Sequence, residues 1–250
     1  MFASAECSKG YRFPKAVITY AVYLYHRFLL SYRDVQELLF ERGIDVSHET
    51  VWIWCAKFGP ELAQALRYRK PRRGWTWHLD EMRVVVGGEI RWLWRAVNEH
   101  GDVLAYRTGK ARAVGPSSLL QEHRDTGAAR RFFRRLIDDY ELPERIVTDG
   151  LRSYGAALKD LPELEASEHI TVSALKRQNN LIEQSHRPTR EQERHQRQFR
   201  GLKRAQGSLF THAEVNGLFH RTRASIPARL RRRNLTRSFG LWAELSLAIP

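Results

Sequence analysis

The sequence predicts an α/β protein in which a mixed sheet, flanked by helices, follows an all-α domain. The first observation is the helical spacing of apolar residues up to about residue 60, and the second is a change to strand-like alternation at Trp75. The third is a basic run from Arg67 to Gly74, with the composition of a linker, between the two patterns. These observations divide the chain into residues 1–74, residues 75–196 and a basic helical extension over residues 197–250.

Three helices are expected in the N-terminal part. Residues 14–30 place apolar side chains at helical spacing, and Ser31 and Ser47 are positioned to cap a second and a third helix. Gly43 is expected to end the second helix. A helix, a turn that contains glycine and another helix form the plan of a helix-turn-helix, a motif of DNA-binding domains. An ordinary three-helix packing unit has the same pattern.

The middle of the chain begins with a predicted β-hairpin. Trp75–Val86 and Glu89–Asn98 both alternate apolar and polar residues, and the dipeptide Gly87-Gly88 between them suits a tight turn. A third strand is expected to begin at Val103. The later segments are predicted to be a helix over residues 126–139 capped by Thr126, a buried strand over Glu144–Thr148, a helix around Ser153–Lys159, a strand over His169–Ser173 and a helix that starts at Asn179 or Asn180.

Positive charge is concentrated near the C-terminus. The net charge is +14, from 42 Lys and Arg against 28 Asp and Glu. Most of the excess lies in residues 176–237, which hold sixteen basic and four acidic residues. Such a segment predicts a polyanionic partner, and a solvated basic tail is the alternative. Apolar residues recur in the same segment, which favours ordered structure.

Neither the cysteines nor the hydropathy pattern indicates secretion or a membrane. Cys7 and Cys55 match no zinc or redox spacing. The longest apolar stretch, Ala16–Tyr25, is too short to cross a bilayer, and the mixed, polar first residues do not resemble a signal. We expect a cytoplasmic protein with no membrane partner, associated with the nucleoid if its polyanion is DNA.

Three acidic residues stand at positions suited to a shared site. Asp80 lies inside the first strand, Asp149 follows the buried strand directly, and Glu183 lies near the start of a helix. A carboxylate in an apolar strand is costly unless it is paired or binds a metal. Three carboxylates can hold two Mg²⁺ ions, with Mn²⁺ as a substitute, if Asp80 bridges them. Two ions of this kind serve phosphodiester transfer.

Each acid also has a simpler explanation. Asp149 before Gly150 is typical of a turn, and Glu183 suits the positive end of a helix. Asp80 could pair with a nearby arginine. The residue types alone leave these alternatives open, and the two-metal site depends on whether the fold brings the three side chains together.

Several motifs resemble those of the DDE transposases of bacterial insertion sequences, in particular the compact branch typified by small cointegrate-forming elements. The similarity extends from Ser31 to about Phe219, and Asp149 and Glu183 are 34 positions apart, which fits that family. The strongest motifs are Trp77-His78-Leu79-Asp80-Glu81, Arg95-Ala96-Val97-Asn98, His123-Arg124-Asp125-Thr126, Thr148-Asp149-Gly150 and the run from Asn179 to Arg190.

The resemblance implies a ribonuclease-H-like catalytic core after a helix-turn-helix, with Asp80, Asp149 and Glu183 as the metal ligands. It implies double-stranded DNA as the partner, at the inverted-repeat ends of the element and at the target. Because two ends must be joined at once, a homodimer or a larger assembly is expected. The candidate DNA-binding residues, for which solvated surface positions are the alternative, are Ser47, His48 and Trp52 of the helix-turn-helix and His186, Arg187, Arg190 and Arg194 after the third acid.

The chain departs from the family pattern at one place. About fourteen extra residues, from Ala105 to Ser118, fall where a core strand should run. They are compatible with a tolerated loop or with a lesion. A catalytically inactive or domesticated DNA-binding derivative is therefore the alternative function, and the three retained acids argue against it. A retroviral-type integrase is disfavoured because the sequence lacks a His-His-Cys-Cys zinc module.

Overall fold

The computed structural model describes residues 12–67, 74–104, 119–172, 180–195, 199–219 and 227–248. Contacts divide the chain into a helical unit, residues 1–68 with 210–250, and a sheet unit, residues 69–209. The expected three-part division stays a prediction. The two units differ from it because helices near the C-terminus share the core of the N-terminal ones. Within the described residues, no helix is long and apolar enough to cross a membrane.

The helical unit consists of three N-terminal helices and two helices near the C-terminus. The helix Leu202–Leu218 belongs to this unit only from Phe210 onward. The helices are α1 (Lys15–Arg27), α2 (Tyr32–Phe40), α3 (His48–Arg67), α7 (Leu202–Leu218) and α8 (Ala228–Ala248).

Local sequence explains where α2 and α3 start. Ser31 caps α2 through a capping box, because its hydroxyl accepts from the Asp34 N–H at 3.2 Å and its own N–H donates to the Asp34 carboxylate at 2.7 Å. Gly43 follows α2 with a φ of 74°, which glycine adopts without strain. The Ser47 hydroxyl accepts from the Thr50 N–H at 3.3 Å at the start of α3. Both predicted caps are confirmed.

Aromatic and aliphatic side chains fill the core of the helical unit. Trp54 and Phe58 of α3 are almost fully buried, and Phe219 and Trp242 belong to the same core. The ring of Tyr23 in α1 lies 4.8 Å from that of Phe219. Burial of one such side chain stabilises a fold by about 1.5–3 kcal/mol. The C-terminal helices are therefore part of the same hydrophobic core as α1, α2 and α3.

The sheet unit contains a five-stranded mixed sheet. Its strands are β1 (Thr76–Val86), β2 (Glu89–Asn98), β3 (Leu119–Gln121), β4 (Arg145–Thr148) and β5 (Glu168–Thr171). They lie in the order β3-β2-β1-β4-β5. The pairs β1–β2 and β2–β3 are antiparallel, and the pairs β1–β4 and β4–β5 are parallel. This order and these directions are those of a ribonuclease-H-like sheet, so the expected fold class is confirmed.

The first two strands form the predicted hairpin, and both Val103 and the later strand β3 pair with β2. Gly87 and Gly88 at the turn have φ values of 61° and 85°, as a tight hairpin requires. A third strand that begins at Val103 stays a prediction: Val103 forms an isolated antiparallel bridge to Val97 of β2, and the Leu104 N–H donates to the Ala96 carbonyl at 2.9 Å. The strand β3 itself begins at Leu119 and pairs with β2 in the same direction. The intervening residues 105–118, which hold the extra segment, lie outside the described residues.

Three α-helices of the sheet unit accompany the later strands. They are α4 (Thr126–Asp139), α5 (Arg152–Lys159) and α6 (Asn180–His195), and a short 3-10 helix (Pro162–Leu164) follows α5. The N-cap of α4 is Asp125 rather than the predicted Thr126, because the Asp125 carboxylate accepts from the Ala128 N–H at 2.7 Å. Pro188 lies inside α6 and does not end it, since the helix continues to His195.

Alternation along β1 distributes its side chains between the two faces of the sheet. Trp77 and Leu79 pack in one core with α4 and α5, whereas Met82 packs in a second core on the opposite face. Because side chains alternate, the consecutive residues Asp80 and Glu81 leave the strand on opposite faces. Asp80 belongs to the face on which α6 lies, and Glu81 to the face of α4 and α5.

Candidate active site

Acidic side chains meet where β4 ends beside β1. The parallel register pairs His78 with Val147, so Asp149, which directly follows β4, comes beside Asp80. One carboxylate oxygen from each of Asp80, Glu81 and Asp149 lies within 4.8 Å of the others. The fold therefore brings together two of the three predicted acids and adds Glu81, to which sequence reasoning assigned no role.

Backbone N–H groups orient both of these predicted acids. Asp80 Oδ1 accepts from the Glu81 N–H at 2.9 Å, and Asp149 Oδ1 accepts from the Leu151 N–H at 3.0 Å. Leu151 immediately precedes α5, so the second bond ties Asp149 to the start of that helix. Both aspartates are half-buried. Carboxylates that are oriented in this way, and still within reach of solvent, suit a hard divalent cation.

Glu81 is the most buried member of the cluster, with 2% of its side chain exposed. Its Oε2 accepts from the Tyr154 hydroxyl at 2.8 Å, and its Oε1 lies 3.0 Å from the Arg124 guanidinium. The pKa of Glu81 is raised to about 7, mainly by burial, and the charges of Asp149 and Asp80 act in the same direction. The contacts with Tyr154 and Arg124 act against this rise.

The two partners of Glu81 have different surroundings. Tyr154 is buried in the core between the sheet and its helices, where its ring lies 5.4 Å from that of Trp94. Burial and the neighbouring Glu81 raise the pKa of Tyr154 well above its usual value. Arg124 is 39% exposed, and its guanidinium lies 4.6 Å over the ring of Trp92. Glu81 is thus held between a rigid interior donor and a cation at the surface.

The third predicted acid, Glu183, lies near the start of α6. Its side chain lies outside the described part of the structure, so its assignment stays a prediction. The backbone of α6 is held by Arg95 of β2, whose buried guanidinium donates to the Ser185 carbonyl and, at 3.0 Å, to the Thr189 hydroxyl. Burial lowers the pKa of Arg95 to about 10. Arg95 stands opposite Asp80 in the hairpin, so it connects α6 to the strand of the first acid.

His186 is buried against Asp80 rather than exposed. Its side chain has no exposed surface, and its Nε2 lies 3.5 Å from Asp80 Oδ2 without the alignment of a hydrogen bond. Burial lowers the pKa of His186 well below its usual value, and the charges of Arg95 and Arg190 act in the same direction. The predicted contact of His186 with DNA is therefore corrected, because a side chain without exposed surface cannot reach a duplex.

The predicted arginines of α6 are at the surface. Arg187, Arg190 and Arg194 are all exposed, and Arg187 pairs with Glu191 one turn later at 3.0 Å. Because the helix continues through Pro188, Arg190 lies two turns after the third predicted acid on one helix. Their assignment to DNA stays a prediction, and their exposure is compatible with it.

The candidates in the helical unit lie at the start of α3. Ser47 is exposed, and His48 and Trp52 are half-buried. The His48 N–H donates to the Gln36 side chain at 2.9 Å, which holds the start of α3 to α2. The His48 ring lies 2.9 Å from the Glu49 carboxylate. Their part in DNA binding stays a prediction.

Comparison with known proteins finds similarity to a domain family and to named transposases. A family model described as a DDE domain matches residues 74–222. The chain is 34% identical over 179 residues to the transposase for insertion sequence-like element IS431mec of Staphylococcus aureus, which covers 70% of this chain and 73% of the relative. The transposase for insertion sequence element IS257 in transposon Tn4003 of Staphylococcus aureus matches with the same identity and coverage.

Two further matches are weaker. An uncharacterized protein, pYV0051 of Yersinia pseudotuberculosis, is 29% identical over 98 residues, which are 38% of this chain and 80% of the relative. Among solved structures, a chain of the simian T-cell lymphotropic virus intasome in complex with PP2A regulatory subunit B56 gamma matches with a TM-score of 0.36 and 15% identity. That match covers 62% of this chain and 53% of the other, about half of its length.

Proposed function

Because the chain belongs to the DDE transposases of insertion sequences, we propose that it cleaves the ends of its element and transfers the freed 3′ hydroxyl to target DNA. The observation that carries this proposal is the meeting of Asp80 and Asp149 at the edge between β1 and β4, with carboxylate oxygens within 4.8 Å. Carboxylates placed in this way suit divalent ions, which stabilise the attacking and the leaving oxygen in phosphodiester chemistry.

The proposed reaction has two displacement steps at phosphorus. In the first, a water oxygen forms a bond to the scissile phosphorus, the bond to the 3′ oxygen breaks, and the proton lost by the water balances the one gained by that oxygen. In the second, the new 3′ hydroxyl attacks a target phosphodiester and releases a target 3′ hydroxyl. Neither step needs a protein nucleophile or an external source of energy, since one phosphodiester replaces another in the joining step.

The side chains fit a site for two Mg²⁺ ions, with Mn²⁺ as a substitute. Carboxylate oxygens are the ligands that these hard cations prefer, and Asp80 and Asp149 offer them within 4.8 Å of one another. In this proposal Asp80 would contribute to both ions, Asp149 would complete the site of one and Glu183 the site of the other. When bound, such ions stabilise both the attacking and the leaving oxygen.

The placement of α6 supports the inclusion of Glu183. His186 lies one turn after Glu183, and its ring is 3.5 Å from Asp80. Arg95 holds the same helix to β2, and the Glu193 carboxylate accepts from the Val85 N–H at 2.8 Å. The contacts of His186, Ser185 and Glu193 hold α6 beside β1 and β2. This placement supports the proposal that Glu183, in the first turns of α6, completes the site with Asp80.

We assign double-stranded DNA, as element ends and as target, to two surfaces. The start of α3, with Ser47, His48 and Trp52, would contact the element's end, and the exposed arginines of α6 would contact phosphates near the acids. Simultaneous joining of two ends requires two catalytic sites, so the active form is a homodimer or a larger assembly that acts on DNA of the nucleoid. The start of α3 belongs to the helical unit and α6 to the sheet unit, so each surface can be tested by itself.

The test is a cleavage and strand-transfer assay with a labelled duplex that carries the element's end. Asp80→Asn, Asp149→Asn and Glu183→Gln should each lower both products by about a thousandfold or more, equivalent to about 4 kcal/mol of lost transition-state stabilisation. The melting temperature should change little, because each amide keeps the size of the acid that it replaces.

Glu191→Gln is the matched control. Glu191 is a half-buried carboxylate of the same helix, paired with Arg187 on the surface and not with the cluster. Its substitution should leave both products near the wild-type level. Retention of strand transfer by any one of the three site variants, at wild-type Mg²⁺ concentration, would remove that residue from the proposed site.

A further inference from the structure

Glu81 lies in the acidic cluster, yet its surroundings differ from those of the two aspartates. We propose that Glu81 is a positioning residue that, through its bond to Tyr154, fixes the carboxylate of Asp80 relative to that of Asp149. We call the group of Glu81, Tyr154 and Arg124 the Glu81 clamp. The inference rests on the proposed function, because it concerns how the two aspartates are held for metal.

A continuous set of hydrogen bonds links the two aspartates through Glu81. The Glu81 N–H donates to Asp80 Oδ1 at 2.9 Å, so the backbone of this residue orients the first acid. The side chain of Glu81 accepts from the Tyr154 hydroxyl of α5 at 2.8 Å. The helix α5 starts directly after Leu151, whose N–H donates to Asp149 Oδ1 at 3.0 Å. The bond between Glu81 and Tyr154 therefore closes a path from one aspartate to the other.

The contacts of Glu81 favour positioning over direct binding of an ion. Each of its carboxylate oxygens already has a donor, Tyr154 on Oε2 and Arg124 on Oε1. Its side chain is on the α4 and α5 face of the sheet, whereas Asp80 is on the α6 face. A rotation of the Glu81 carboxylate away from Tyr154 to bind an ion would leave the buried Tyr154 hydroxyl without this acceptor, which is costly.

The burial of Glu81 has no explanation from stability alone. A buried carboxylate carries a large desolvation cost, and an apolar residue of similar volume commonly stabilises such a position as well or better. The surroundings would suit one, because the neighbouring core contains Trp94, Phe132 and Phe133. Two aspartates within 4.8 Å repel each other, and a rigid link between their supporting elements opposes their separation.

The experiment measures metal affinity separately from activity. Mn²⁺ is titrated into the full chain bound to an end duplex, and free Mn²⁺ is followed by its electron paramagnetic resonance signal. Tyr154→Phe, which removes one hydroxyl and keeps the ring, should weaken Mn²⁺ binding about tenfold and raise the Mg²⁺ concentration for half-maximal strand transfer by a similar factor. Its maximal rate at saturating metal should stay within about threefold of wild type. Glu81→Gln, which can still accept from Tyr154, should have a smaller effect than Glu81→Ala.

Glu99→Gln is the matched control for a general loss of strand order. Glu99 also holds the start of β1, by accepting from the N–H groups of Trp75 and Thr76 at 3.1 and 3.2 Å, and it does not contact the acidic cluster. Its substitution should lower the melting temperature without changing Mn²⁺ affinity.

Each alternative has its own outcome. A lower melting temperature for Tyr154→Phe with unchanged Mn²⁺ and Mg²⁺ curves would make the clamp purely structural and overturn the inference. Complete loss of activity in Glu81→Ala at every metal concentration would make Glu81 a ligand and also overturn it. If wild type binds Mn²⁺ but performs no strand transfer, the proposed function fails while the clamp is still judged by its Mn²⁺ affinities. A wild type that binds no Mn²⁺ contradicts both.

Discussion

The helical unit and the sheet unit bury different kinds of side chain. The core of the helical unit is made of aliphatic and aromatic residues, and its buried polar groups are hydroxyls and histidines. Among the described residues, the buried carboxylate and guanidinium, Glu81 and Arg95, both belong to the sheet unit. Both lie beside Asp80, one adjacent along β1 and one opposite in the hairpin.

This difference indicates where each unit carries its function. Buried charge opposes stability unless its position has another use, and in the sheet unit it is concentrated around the acids. Among its described residues the helical unit buries no carboxylate or guanidinium, so we expect its function to depend on its surface. That surface includes the start of α3 and the first part of α8, where every residue from Ala228 to Arg237 is exposed.

The largest expected effect comes from a cavity in the helical unit. Trp54 is 1% exposed and its ring lies 5.4 Å from that of Phe13, so Trp54→Ala should lower the free energy of unfolding by about 3–5 kcal/mol. DNA binding should fall in proportion to the unfolded fraction and should recover at lower temperature. Urea unfolding and a binding assay on the same preparation measure both quantities.

Arg95→Met in the sheet unit should show the opposite behaviour. Methionine replaces a buried charge by an apolar chain, so the free energy of unfolding should change by less than about 2 kcal/mol. Strand transfer should fall more than about a hundredfold, because the contacts of Arg95 with Ser185 and Thr189 hold α6. If the two variants lose stability and activity in the same ratio, the proposed division between shape and chemistry does not hold.

Local patterns were sufficient to predict much of the fold. The capping residue Ser31 and the Gly87-Gly88 turn act within a few positions of the chain, and both appear as the sequence indicated. The third strand was predictable only near Val103, which bridges to β2. Its pairing with β2 resumes at Leu119, after residues whose pattern does not mark where a strand begins.

The candidate site was only partly predictable for the same reason. The meeting of Asp80 and Asp149 follows from two parallel strands, which the alternation of helix and strand indicated. The strand period also places Glu81 on the face opposite Asp80, but it does not show that Tyr154 lies there as a donor. The burial of His186 depends on how α6 packs against the sheet, and the motif alone suggested a surface position.

The next effect concerns the surface of the helical unit. The change of Arg229, Arg231, Arg232 and Arg233 to Gln should weaken binding to all DNA sequences about equally. The slope of log affinity against log salt should fall by about 0.9 for each arginine that neutralises a phosphate. The exposure of this part of α8 on every side is compatible with such contacts. A salt titration from about 50 to 200 mM measures the slope.

Trp52→Ala provides the contrast within the same unit. Trp52 lies near the start of α3, so its loss should reduce the preference for the element's end over random duplex while the salt slope stays near wild type. An unchanged salt slope in the four-arginine variant would show that this part of α8 is solvated surface, and the charge of the helical unit would need another explanation.

The smallest effect tests a buried histidine, a group that both units contain. His26 in the helical unit is 1% exposed, and its ring nitrogens have no hydrogen-bond partner among the described residues. Burial lowers its pKa well below 6.5, and the nearby His212 acts in the same direction.

Below about pH 6.5 the unfolded chain binds a proton at His26 that the folded chain does not bind. The contribution of His26 to the free energy of unfolding is therefore fully present above about pH 6.5, and it is lost progressively as the pH decreases below that value. The expected slope is about 1.4 kcal/mol per pH unit for this one proton. Urea unfolding of wild type and His26→Leu at pH 5.5 and 7.0 should give a smaller difference in the variant, and an equal difference would mean that another group takes up the proton.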